Sequence, residues 1–94
     1  MKIEALYFTS PNCCVCDVLE PKLKQLIHDN YRDIIWQYID SSKRPSFAAS
    51  HSVFVSPVLI LKIDGKEQFR FVRNFSLFQV EEKLNRLYSL MNPG

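Results

Sequence analysis

Short apolar runs alternate along the chain with segments of helical period. Residues 3–9 form an apolar run rich in strand formers and predict a buried strand. Ser10, Pro11 and Asn12 break the run, and Asn12 is a suitable helix N-cap. From about residue 13 to 29 the apolar positions Val15, Val18, Leu19, Leu23, Leu26 and Ile27 recur at spacings of three and four, which predicts a helix. Pro21 falls inside this pattern and predicts a kink. Residues 34–39 read as a second strand. A polar stretch to Pro45 leads to a short helix or irregular segment at about 46–51. A third strand over 58–63 follows Pro57 directly. Asp64-Gly65 is a hairpin turn, and residues 67–72 make the fourth strand. Ser76 with Gln79 is a capping box. It opens a last helix with Leu77, Val80, Leu84, Leu87, Tyr88 and Met91 on one face, ended by Asn92-Pro93-Gly94.

The order strand, helix, strand, short helix, strand, strand, helix predicts an α/β fold. Its first half is a βαβ unit with parallel strands and a right-handed crossover; its second half is an antiparallel hairpin and a helix. A four-stranded mixed sheet with helices on both faces satisfies both halves, as one domain over residues 1–94.

The hydrophobic fraction of 47% suffices for one core and excludes a disordered chain. Twelve basic residues stand against ten acidic ones, and the net charge of +2 is too small to argue for nucleic acid or a membrane surface. Phe69 and Phe71 alternate with Arg70 and Val72, a pattern that reads as one core face of a strand. Trp36 reads as packing. Glu81 and Glu82, near Lys83 and Arg86, read as a solvated helix face. No stretch approaches a membrane span, and the acid at position 4 argues against a signal peptide, so a cytoplasmic location is expected.

All three cysteines lie within four residues, Cys13, Cys14 and Cys16, which indicates local chemistry instead of a stapled scaffold. They stand where a strand hands over to a helix. The first helical turn leaves N–H groups unpaired and carries the positive end of the helix dipole. A thiolate at the tip, Cys13, is stabilised there and becomes the candidate nucleophile. Cys16 shares its helix face, with Cβ atoms about 5–6 Å away, so a disulfide closes with a small adjustment. Cys14 points about 100° aside and reads as a spacer, with a third redox role or glutathionylation as the alternative. The competing reading of the pair is half a zinc site. His28 is too far, about 18 Å along the same helix, while His51 remains open as a ligand.

In these residues the chain resembles the thioredoxin superfamily over nearly its whole length. Phe8 near a strand end precedes Cys13, and a Cys-x-x-Cys opens the helix. Pro21 follows Cys13 by eight residues. Val55-Ser56-Pro57-Val58 opens a strand as the family's cis-proline does, and Asp64-Gly65 turns the last hairpin. The resemblance implies a thiol–disulfide oxidoreductase in which Cys13 attacks a protein disulfide and Cys16 resolves the mixed disulfide. It implies a cis Ser56-Pro57 bond, and a peptide groove to which Asn12, Cys14, Val15, Ser56, Pro57 and Arg73 contribute. No cofactor is expected beyond the Cys13–Cys16 disulfide. The expected electron donor is a reductase or a low-molecular-weight thiol, and the expected state a monomer. The alternatives are a redox sensor or adaptor on the same fold, and metal handling through the cysteine cluster.

The departures are specific. Asn12 stands where thioredoxins have Trp, and Cys14-Val15 where they have Gly-Pro. Tyr7 stands where they bury an acid, so the Cys16 proton needs another base or water. Arg73 or Asn74 stands where they have a glycine. The chain also lacks their extra N-terminal strand and helix, and it lacks the Thr-Val-Pro and glycine pair of glutaredoxins.

Overall fold

Mainly apolar sequence places two strands at the centre of the sheet. In the computed structural model, which describes residues 2–11 and 13–91 and only the backbone of Cys14 and Met91, β1 (Ile3–Thr9) and β3 (Val58–Ile63) are the inner strands. β2 (Ile34–Asp40) and β4 (Lys66–Val72) are the edges, and the order is β2-β1-β3-β4. Strands covered on both faces lose the alternation that half-exposed strands keep. β1 is parallel to β2, and β3 is antiparallel to both β1 and β4. The helices are α1 (Cys14–Asn30), α2 (Pro45–Ser50) and α3 (Leu77–Met91).

Alternate residues of the inner strands feed two cores. Ile3, Ala5, Tyr7, Leu59 and Leu61 pack with Cys16, Leu23 and Ile27 of α1 and Val80 and Leu84 of α3. Leu6, Phe8, Val58 and Ile60 face the other way, onto Ala48 of α2 and Val53. Phe69 and Phe71 lie against the first core, and the Trp36 ring stacks on Tyr7 with centroids 5.6 Å apart.

The local signals act as their chemistry dictates. Asp64 (φ 51°) and Gly65 (φ 83°) both take left-handed backbone, as a two-residue hairpin turn requires. The Ser76 amide donates to Gln79 Oε1 at 2.8 Å, and the Gln79 amide donates to Ser76 Oγ at 3.2 Å. Pro21 lies inside α1, which continues through it. No helix among the described residues is long and apolar enough to cross a membrane. The helix stop at Asn92-Pro93-Gly94 falls outside the described residues.

Arg73, just after β4, takes φ +63° and is exposed, while its amide donates to the Pro57 carbonyl at 2.8 Å. A side chain is disfavoured in that backbone region, and glycine is not. Of the two residues considered for the missing glycine, Arg73 therefore occupies the left-handed position. Arg73→Gly is expected to leave stability unchanged or raise it by up to about 1 kcal/mol, since the relief of the backbone is offset by a freer unfolded chain. Urea unfolding checks this; a loss of stability would mean that the arginine side chain makes a compensating contact.

Candidate redox site

The carboxyl end of β1 and the start of β3 meet because these strands run antiparallel, Phe8 facing Val58. The loops beyond them are joined by a hydrogen bond between the hydroxyls of Ser10 and Ser56 at 2.6 Å. The Ser41 amide donates to the Thr9 carbonyl at 2.8 Å and fastens the end of β2 to the same place. The chain leaving β1 then turns into α1. The cap of that helix is Cys13 itself, and the helix begins one residue later than the spacing predicts; Asn12, the expected cap, lies outside the described residues.

As a cap, Cys13 has extended backbone (φ −93°, ψ 93°), and its sulfur accepts the Cys16 amide N–H at 3.2 Å. Its carbonyl accepts the Asp17 amide at 3.1 Å. A capping oxygen ordinarily takes such an N–H. A sulfur there is held against an open amide at the positive end of a helix, an arrangement that favours its anionic form. Cys13 and Cys16 are joined by a disulfide with Cα atoms 5.2 Å apart. Cys13 is half-buried and Cys16 is 1% exposed, so an incoming group meets Cys13 first.

Beneath Cys16 lies Tyr7, fully buried on β1, whose hydroxyl donates to the Cys16 carbonyl at 3.1 Å. Burial pushes the Tyr7 phenol far above its ordinary range, and the charges of Glu20, Tyr38 and Asp17 add to the effect. The phenol therefore stays protonated at neutral pH and acts as a donor.

Across the Ser10–Ser56 hydrogen bond, the Ser56-Pro57 bond is cis, as the resemblance implies; Pro57 is buried and Ser56 half-buried. Val15 is 58% exposed and Val18 is 62% exposed. With Leu19, Lys22, Phe75 and Leu77 they line an apolar hollow of about 470 Å³. On the other side Ser10, Val53, Phe54, Val55 and Ser56 help to line a second hollow of about 350 Å³. Val72, paired with Val58 at the same end of the sheet, is also exposed. Phe54, Val72 and Phe75 are rim residues that sequence reasoning missed. Arg73 reaches this end through its backbone bond to Pro57. The Cys14 side chain lies outside what is described. No group of three or more His, Cys, Asp and Glu able to hold a metal gathers among the described residues.

A family model described as Thioredoxin matches residues 2–86. The thioredoxin-like protein YdfQ of Bacillus subtilis (strain 168) is 36% identical over 89 residues, which are 95% of this chain and 79% of that protein. Among solved structures, thioredoxin 1 from the thermophilic eubacterium Thermosipho africanus TCF52B superposes with a TM-score of 0.88 at 31% identity, covering 95% of this chain and 98% of that one. Fasciola hepatica thioredoxin, at 24% identity and a TM-score of 0.81 over 90% of this chain and 80% of that one, shares the fold.

Proposed function

The chain belongs to the thioredoxin family, and from that premise we propose that it is a thiol–disulfide oxidoreductase acting on protein disulfides, with Cys13 as nucleophile and Cys16 as resolving thiol. The observation that carries the reading is the Cys13 sulfur at the cap of α1, facing the Cys16 amide and bonded to the buried Cys16 sulfur. Thiol–disulfide exchange needs an attacking thiolate, an accessible sulfur and a second thiol able to recycle it.

In the reductive direction, the Cys13 thiolate attacks one sulfur of a substrate disulfide. A Cys13–substrate bond forms, and the other substrate sulfur leaves as a thiolate. The Cys16 sulfur then attacks Cys13 and closes the Cys13–Cys16 disulfide. The second substrate sulfur leaves, and two electrons have passed from the pair to the substrate. The disulfide is the redox centre, and no added cofactor takes part. The apolar rim of Val15, Val18, Phe54 and Val55 suits an extended polypeptide better than a small charged thiol. Ser56 and Pro57 would face that polypeptide from the β3 side, with Arg73 at its margin; Asn12 and Cys14 are the further groove residues that the resemblance implies. A reductase or a low-molecular-weight thiol would return the pair to the dithiol. The protein would act as a monomer in the cytoplasm, without nucleic acid or membrane.

Reduction of insulin with dithiothreitol as donor tests the reading: the protein should accelerate precipitation of the insulin chains catalytically. No acceleration would overturn it and leave a sensor or adaptor role. A second expectation arises from the same geometry. Thiolate absorbance of the reduced protein should appear at a lower pH than that of a free cysteine, and Cys13→Ser should remove that early component. An early component that survives Cys13→Ser would move the reactive sulfur elsewhere.

A further inference from the structure

Closing the disulfide during turnover requires the buried Cys16 thiol to lose its proton, and position 7, where the resemblance leads one to expect an acid, holds a phenol. Resting on the oxidoreductase reading above, we propose that Glu20 is the acceptor of the Cys16 proton, an acid supplied from the helix in place of one on the strand.

Three observations converge on Glu20. The Tyr7 hydroxyl is committed as a donor to the Cys16 carbonyl at 3.1 Å and is fully buried, so it has no proton vacancy to offer. Glu20 lies four residues beyond Cys16 in α1, on the same helix face. Side chains in a helix lean toward its N-terminus, so a long side chain at that spacing covers the turn that holds Cys16. Glu20 is half-buried there, unlike the exposed Asp17. Asp17, next to Cys16 in sequence, points about 100° aside around the helix.

The other groups around the site leave the assignment to Glu20. Tyr38 of β2 is the further titratable group acting on Tyr7, and it too is a phenol. Glu81 of α3 acts on Tyr31 at the far end of α1. Lys24, one turn beyond Glu20, is exposed.

In the step itself, the Cys16 S–H proton passes to the Glu20 carboxylate. The Cys16 sulfur bonds to Cys13, and the Cys13–substrate bond breaks. Its electron pair leaves on the substrate sulfur, which takes a proton from solvent. Glu20 then returns its proton to solvent.

The aromatic disulfide dithiobis-nitrobenzoate separates the two half-steps. The first nitrothiobenzoate released reports attack by Cys13; the second reports closure by Cys16. With every variant in a Cys14→Ser background, only these two sulfurs react. Glu20→Gln should slow the second release by about tenfold or more at neutral pH, because a positioned base is lost. It should also make that release rise in proportion to hydroxide between about pH 6 and pH 8. The first release reports an intact helix terminus and should change by less than about twofold. Asp17→Asn should leave the second release within about twofold of its parent, since an exposed charge is screened. A second release unaltered in Glu20→Gln, or slowed equally by Asp17→Asn, overturns the assignment. A parent protein that never yields the second release overturns the oxidoreductase reading along with it.

Discussion

Cys13→Ser should abolish disulfide exchange, reducing the rate by about a thousandfold or more, and Cys16→Ser should arrest the protein as a mixed disulfide with its substrate. The two variants differ because the two sulfurs stand in different surroundings. Cys13 is half-exposed and faces an open amide, so it is the sulfur that substrate meets; a serine hydroxyl there stays protonated and is not a nucleophile toward sulfur. Cys16 is 1% exposed and lies under Cys13, so it reaches no substrate. Its removal spares the first attack and deletes the second. Mass spectrometry of each variant after incubation with oxidised insulin checks this. An adduct should accumulate on Cys16→Ser at residue 13, and none on Cys13→Ser. An adduct at residue 14 in either variant would assign Cys14 a redox role instead of that of a spacer. Full turnover by Cys13→Ser would overturn the proposed order of attack.

The strand framework was legible because each segment carried its own signal. The apolar run at 3–9 marked a buried strand and 58–63 a third strand after Pro57, and the structure makes these the inner pair. Asp64-Gly65 and Ser76 with Gln79 announced a turn and a cap through chemistry confined to a few residues. The site was legible at Cys13 and Cys16 because their spacing and place after a strand suffice to define a helix terminus. Its surroundings were less so. Spacing by three and four counts Val15 and Val18 among the apolar positions of the helix without saying which face is buried, and the buried stripe of α1 runs through Cys16, Leu23 and Ile27. Started from Cys16, the same periodicity leaves Val15 and Val18 on another face. A rule that reads every apolar residue as core cannot see that, because a redox site needs its cysteine buried and its neighbours bare. Tyr7 is a second case. The strand run predicts a buried aromatic, but only the folded chain shows its hydroxyl on the Cys16 carbonyl. Arg73 is a third: no propensity announces an arginine in left-handed backbone, and the bond from its amide to Pro57 holds it there.

The stripe that buries α1 also determines how firmly the site is held. Cys16, Leu23 and Ile27 are the residues of α1 in the core, and Leu23 is its middle contact, fully buried against β1 and α3. Leu23→Ala should cost about 3 kcal/mol, the transfer of the lost methyl and methylene groups plus the cavity they leave. That is a large share of the ~5–15 kcal/mol that stabilises a domain of ordinary size. Leu84→Ala on α3, at 1% exposure, should cost a similar amount by the same physics. Their effects on exchange should nevertheless differ. α1 holds Cys16 and is capped by Cys13, whereas α3 carries neither. Urea midpoints should fall together in the two variants, while the rate of insulin reduction under folding conditions should fall further in Leu23→Ala. If the two variants lose stability and activity in the same proportion, the seating of α1 does not govern the geometry of the pair. The apolar stripe below Cys16 would then serve the fold alone.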